Sequence, residues 1–147
     1  MSPFPDQPPK ASPDMAAIEQ LAEHALSVIP DELRQHLEGV VIRVEELPDP
    51  QLQNELSLES PYDLLGLYSG VSLADKSVMA TAQDLDRIFL YRRPILEYGR
   101  QTGEPLARIV RHVLIHEVGH HFGLSDADME RIERDAGNES RSGGTDL

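Results

Sequence analysis

The sequence HEVGHHFGLSD occupies residues 116–126 and contains the pattern His-Glu-x-x-His. On a helix, His116 and His120 are one turn apart, so both imidazoles leave the same face. That spacing allows the two rings to bind one tetrahedral Zn²⁺ at about 2.0–2.1 Å. Glu117 follows the first histidine, and we expect it to act as a general base toward a water activated by the metal. The pattern therefore predicts a catalytic zinc helix.

A catalytic zinc site usually has three protein ligands, so a third is expected after His120. Gly123 has no Cβ and is suited to end the helix in a left-handed conformation. The chain can then return Asp126, and we predict His116, His120 and Asp126 as metal ligands, with a fourth position left for water. Asp128 is an alternative third ligand. Either acid is also favoured in the first turn of a following helix by the helix dipole alone.

The extended pattern His-Glu-x-x-His-x-x-Gly-x-x-Asp resembles that of small bacterial zincin-like metallopeptidases, in which Asp replaces the third His of the metzincin pattern. Four flanking segments also resemble this family: 111–115, 127–129, 64–70 and 87–94. The resemblance covers residues 35–135 and implies a minimal metzincin-like core and metal-dependent peptide hydrolysis. Met129 comes too soon after Asp126, inside a predicted helix, to be assigned as the methionine that lies beneath the metal in metzincins.

The composition describes one acidic domain without cysteine. A chain of 147 residues is long enough to bury a core, and its metal ligands must come from His, Asp and Glu. The formal net charge of -13 repels phosphate backbones, so we expect no nucleic-acid partner. Neither a signal-peptide pattern nor an apolar run of about 20 residues occurs. We therefore expect a cytoplasmic monomer that has no membrane partner and acts on a peptide or protein substrate.

The predicted fold class is α+β, with the minimal zincin-like fold that the resemblance implies. We expect a small mixed β-sheet packed against about three to five helices, one of which is the metal-binding helix. Residues 1–11 are predicted to form a disordered lead, 12–136 the folded domain and 137–147 a flexible tail. Strands are predicted at 40–44, 64–71 and 87–91, with a short strand or a turn at 77–81. Helices are predicted at 12–28, 30–39, 95–100, 104–122 and 125–136, with a helical turn at 52–56.

Several residues near the motif have two interpretations. His112, one turn before the motif, is either a group that supports the metal ligands or a packed side chain, and His121 points away from the motif face. Residues 66–70 form either an edge strand that pairs with a substrate peptide or an ordinary core strand. Tyr68 or Tyr91 either stabilises an oxyanion or simply packs.

Two functions are consistent with the pattern. The first is a zinc-dependent metallopeptidase in which Glu117 takes a proton from the attacking water and passes it to the leaving amine. The alternative is a metal-stabilised binding or regulatory module with vestigial or no proteolysis, because so small a chain has few residues with which to enclose a substrate.

Overall fold

The computed structural model describes residues 13–70 and 86–145. The predicted lead over 1–11 and the predicted segment over 77–81 lie outside these residues. Within the described ranges the elements are α1 (Met15–Val28), α2 (Asp31–Arg34), β1 (Val41–Glu45), α3 (Pro50–Glu55), β2 (Gly66–Ser69), β3 (Arg87–Tyr91), α4 (Arg92–Thr102), α5 (Leu106–His121) and α6 (Asp126–Thr145). Two short 3-10 helices are formed by Gln35–Leu37 and Pro61–Asp63.

The three strands form one mixed sheet in the order β1-β3-β2. The central strand β3 is parallel to β1, and Ile88 of β3 lies beside Ile42 of β1. On its other side β3 is antiparallel to β2, and Ile88 lies beside Tyr68. Ile88 is fully buried, as expected for the apolar centre of a sheet. The predicted α+β class and small mixed sheet are confirmed.

Helix α5 is the centre of the core. It contacts α1, α2, α4, α6, β2 and β3. Its inward side chains recur at three- and four-residue spacing, as on the apolar face of a core helix. They are Ile109, Val110, Val113, Leu114, Ile115 and Val118, and all are buried. Full burial of such a side chain contributes about 1.5–3 kcal/mol, so the backbone that carries the His-Glu-x-x-His pattern is held by the core itself.

The helix boundaries differ most from the predictions at two N-termini. Helix α1 begins at Met15 and not near Ser12, because Asp14 is the cap: its Oδ1 accepts a hydrogen bond from the Ala17 backbone N–H at 2.9 Å. Helix α4 begins at Arg92, ahead of Pro94, since proline is tolerated in the first turn of a helix.

The last helix is longer than predicted. Helix α6 continues to Thr145, beyond the end predicted near Ala136, because no proline interrupts the intervening sequence. The part of the chain that the structure describes contains six α-helices where about three to five were expected, and two of them, α2 and α3, have only 4 and 6 residues. In the described ranges, no helix combines the length and apolar character needed to cross a membrane.

Candidate metal centre

Helix α5 carries three histidines in one row, at four-residue intervals. The ring centroids of His112 and His116 are 4.0 Å apart, and those of His116 and His120 are 6.0 Å apart. His116 is half-buried, whereas the two outer histidines are exposed. The predicted pairing of His116 and His120 on one face of a helix is therefore present, and His112 extends the same face by one turn.

The end of α5 follows the predicted glycine stop. Gly123 adopts a φ of 76°, which a residue without Cβ reaches at no steric cost. Its N–H donates to the His120 carbonyl at 3.2 Å, and the Leu124 N–H donates to the Gly119 carbonyl at 2.8 Å. These two bonds make a Schellman motif, which satisfies carbonyls that the helix end would leave unpaired. The motif turns the chain sharply into α6.

The two predicted carboxylate candidates lie at the start of α6. Asp126 is its first residue and is exposed. Ser125 caps the helix, because its Oγ accepts from the Asp128 backbone N–H at 3.1 Å. Neither acid lines the cavity that His116 and His120 line. Asp126 as the third ligand stays a prediction.

A different carboxylate, that of Glu133 from α6, lies between two of the histidines. Its Oε1 is 2.7 Å from His112 Nδ1, and its Oε2 is 3.2 Å from His116 Nε2. The ligand atoms of these three residues all lie within 4.8 Å of one another, the one such group of three found in the part of the chain that the structure describes. Imidazole and carboxylate are donors that zinc accepts, and three of them leave a position open, so this set fits a zinc ion.

Glu133 is not among the ligands predicted from the sequence pattern, although the sequence carries a signal for it. Met129, Ile132 and Ala136 are fully buried on α6 and mark its inner face. Glu133 lies four residues after Met129, within that apolar stripe. An acid on the buried stripe of a helix next to a histidine row is a candidate ligand, because such a group requires a partner.

Gly119 determines how closely α6 approaches this row. A Cβ at Gly119 would lie 2.8 Å from Cγ of Met129 and nearer still to its sulfur. Met129 is fully buried in that contact. The glycine therefore allows the two helices to pack with Glu133 within reach of the imidazoles.

Glu117 is half-buried between α5 and strand β2. Burial raises the pKa of its carboxyl group, while His120 and a hydrogen bond from the Tyr68 backbone N–H act in the opposite direction. A carboxylate with a raised pKa accepts protons more readily at neutral pH, which is the property a general base needs.

The catalytic candidates share one cavity of about 450 Å³, a volume in the range of small-ligand sites. Helix α5 contributes His112, His116, Glu117 and His120 to its wall, and α6 contributes Glu133. The facing wall comes from the chain leading into β2, from α4 and from the start of α5: Asp63, Leu64, Leu65, Gly66, Tyr98, Glu104 and Arg108.

Neither predicted oxyanion tyrosine lines that cavity. The Tyr68 hydroxyl donates to Oδ2 of Asp86 at 2.8 Å, and its ring stacks on His121 with centroids 3.9 Å apart. Burial and Asp86 raise the pKa of Tyr68, and burial raises the pKa of Tyr91 to about 12. The packing interpretation fits both residues, and Tyr98 is the tyrosine that borders the cavity.

Comparison with known proteins extends these observations. A family model described as zincin-like metallopeptidase matches residues 37–136. A solved structure described as a conserved hypothetical protein from Thermo thermophilus is 25% identical in sequence, with a TM-score of 0.50 over 75% of this chain and 94% of that one. No match was found among curated proteins. The family match includes all of α5 and the part of α6 that carries Glu133.

Proposed function

Since the chain belongs to the zincin-like metallopeptidase family, we propose that it is a zinc-dependent enzyme that hydrolyses peptide bonds, with Glu117 as the general base. The observation that carries this proposal is that His116, Glu117, His120 and Glu133 line one cavity. Two imidazoles, a carboxylate and a separate half-buried carboxyl group are the parts that metal-assisted hydrolysis requires.

We assign the metal to His116, His120 and one carboxylate, because the His-Glu-x-x-His spacing favours this pair. The assignment leaves out His112, whose ligand atom lies within 4.8 Å of those of His116 and Glu133. Glu133 is supported by its contact with His116 and its place in the cavity wall, whereas Asp126 is supported by the sequence pattern. His112 would then orient the carboxylate of Glu133 from the outside, as partners of metal ligands commonly do. Zinc, when bound there, supplies a Lewis acid that acidifies water and polarises a carbonyl.

Glu117 supplies the proton transfers of the reaction. Its carboxylate accepts the proton of the attacking water and then gives that proton to the amine that leaves from the cleaved bond. Its neighbours suit both steps: burial favours the protonated form, and the Tyr68 N–H and His120 favour the ionised form. The hydrogen bond from β2 also holds the side chain in one orientation.

Strand β2 offers a place for the substrate main chain. In the described sheet it is an edge strand, because β3 pairs with only one of its sides. Leu65 and Gly66, where the strand begins, line the cavity. A peptide laid along this edge would form backbone hydrogen bonds and pass in front of Glu117, which favours the edge-strand interpretation of residues 66–70. We propose a peptide or protein substrate bound in this way by a single copy of the chain.

Replacement of Glu117 by Gln tests the proposal. The variant keeps the shape of the side chain but cannot accept the proton, so peptide cleavage should fall by about 10²–10⁴-fold while bound zinc is retained. The measurement is digestion of a broad peptide library by zinc-loaded protein, with zinc content determined on the same samples.

The matched control is Glu19→Gln, which removes an exposed carboxylate on α1 and should leave cleavage unchanged. Equal cleavage by the Glu117→Gln and native proteins would exclude this mechanism. A full zinc complement with no cleavage by the native protein would support the binding or regulatory module instead.

A further inference from the structure

A second cavity, of about 600 Å³, lies between α5 and α6 beside the first. Three arginines line it: Arg108 and Arg111 from α5, and Arg134 from α6. We call this cavity the arginine pocket. Arg108 and Glu133 line both cavities, so the two are direct neighbours. Three arginines around one pocket are unusual in this chain, because it has 13 basic and 26 acidic residues.

One donor of Arg111 has no acceptor in this pocket. Its Nε is buried and has no hydrogen-bond partner among the described residues. Burial lowers the pKa of Arg111, Glu133 raises it and Arg108 lowers it. Gly137 on α6 leaves room for the guanidinium, because a Cβ there would lie 3.5 Å from Nη2 of Arg111. A buried donor of this kind is stabilised when a ligand supplies the missing acceptor.

The carboxylates of the pocket form no ion pair with its arginines among the described side chains, although the charge of Glu133 acts on Arg111. Glu130 and Glu133 line it, but the two oxygens of Glu133 contact His112 at 2.7 Å and His116 at 3.2 Å. Glu133 pairs with the two histidines, and the other ion pairs of the described α6 side chains are those of Arg131, which does not line the pocket. The pocket therefore retains positive charge and fork-shaped donors.

We propose that the arginine pocket binds a carboxylate of the peptide substrate and so selects acidic or C-terminal segments beside the cleavage site. This inference rests on the proposed function. Arginine recognises carboxylates through two parallel N–H donors, a geometry that the planar guanidinium provides and an ammonium does not. Because Arg108 borders both cavities, a peptide in the first cavity reaches the pocket without leaving the protein surface.

The test measures binding without cleavage. Fluorescein-labelled octapeptide pools are titrated into the full-length Glu117→Gln protein, with and without zinc, and anisotropy is recorded. Pools with a free C-terminus are compared with amidated pools, and pools with one fixed Glu are compared with pools with Gln. We expect the carboxylate-bearing pool of at least one pair to bind about 10-fold more tightly. The pair that responds identifies the carboxylate as terminal or as a side chain.

Arg108→Gln and Arg134→Gln should each remove most of that preference. Arg111→Lys keeps the charge but lacks the guanidinium Nε–H, and should also reduce it. The matched control is Arg100→Gln, which removes one cation from α4, where Arg100 pairs with Glu97, and should preserve the preference. Equal affinities in both pairs of pools, or equal losses in the Arg100 and Arg108 variants, would overturn the proposal. Because no cleavage is measured, an inactive native protein would count against the proposed function alone.

Discussion

Glu133 is a single side chain that contacts two imidazoles of α5, and its replacement distinguishes the two candidate ligand sets. Glu133→Gln keeps the volume but removes the charge that a zinc ligand needs. Replacement of a residue that only supports a ligand typically lowers metal affinity by about 10–100-fold. We expect the loss of zinc affinity in Glu133→Gln to be larger than that. The measurement is competition with a chelator of known affinity.

Asp126→Asn serves as the comparison for that variant. Since Asp126 is exposed and does not line the cavity, we expect its replacement to leave zinc affinity within a few-fold of the native value. The reverse result, with affinity lost in Asp126→Asn and kept in Glu133→Gln, would restore the ligand set predicted from the sequence pattern.

At the scale of elements, the contact between α5 and α6 depends on Gly119. Gly119→Ala would place a methyl group against buried Met129, and overpacking of this kind costs about 1–3 kcal/mol. Since Ala also favours the helix by about 1 kcal/mol over Gly, we expect a moderate net loss of stability. Zinc affinity should fall as well, because α6 is displaced from the histidine row.

The matched control for Gly119→Ala is Gly137→Ala on α6. There the added methyl group would lie 3.5 Å from Nη2 of Arg111, which is an ordinary van der Waals contact. Helix propensity should therefore make this variant neutral or slightly stabilising. Urea unfolding gives the stabilities, and a chelator titration gives the zinc affinities. Equal behaviour of the two glycine variants would show that Gly119 does not set the helix spacing.

A surface ion pair links α6 to α2. Arg131 donates two hydrogen bonds to the Glu32 carboxylate, at 2.7 and 3.0 Å. These bonds lower the pKa of Glu32 from its ordinary value of 4.5. A lowered pKa means that the unfolded state binds the proton more tightly, so the stabilisation is present above pH 4.5 and is lost as the pH falls through the lowered value.

Glu32→Gln tests that dependence. Because both side chains are about half exposed, we expect a loss of only about 0.2–1 kcal/mol at pH 7. Between pH 7 and an acidic pH, the difference from the native protein should become smaller as the pH falls below 4.5. Glu19→Gln, which removes an exposed carboxylate on α1, should show no such dependence. Unfolding by urea at both pH values is the measurement, and a difference that is undiminished at the lower pH would contradict the assignment.

The elements that could be predicted are those whose signals are local. Strand β3 and helix α5 have apolar periodicities contained within their own residues, and Gly123 ends α5 by a property of its own backbone. Glu133 depends on how α6 is rotated against α5, which Gly119 and Met129 fix together across a helix interface. That information lies in the pairing of two elements and is not present in either segment alone.

At the scale of the whole molecule, the candidate site joins two parts of the core. Helix α5 is held by α1 and the sheet, whereas α6 packs on α5 and α1. A metal bound by His116, His120 and Glu133 would tie α6 to the rest of the fold. Zinc that binds only the folded state stabilises it by about 2.7 kcal/mol when its concentration is 100 times the dissociation constant.

Removal of zinc with a chelator should therefore lower the midpoint of urea unfolding of the native protein and increase hydrogen exchange in α6. The Asp126→Asn variant should respond to zinc as the native protein does, while Glu133→Gln should gain little stability from it. If zinc stabilised the Glu133→Gln variant as strongly as the native protein, the carboxylate of α6 would not be a ligand. The link between the two helices would then depend on the packing of Met129, Ile132 and Ala136 alone.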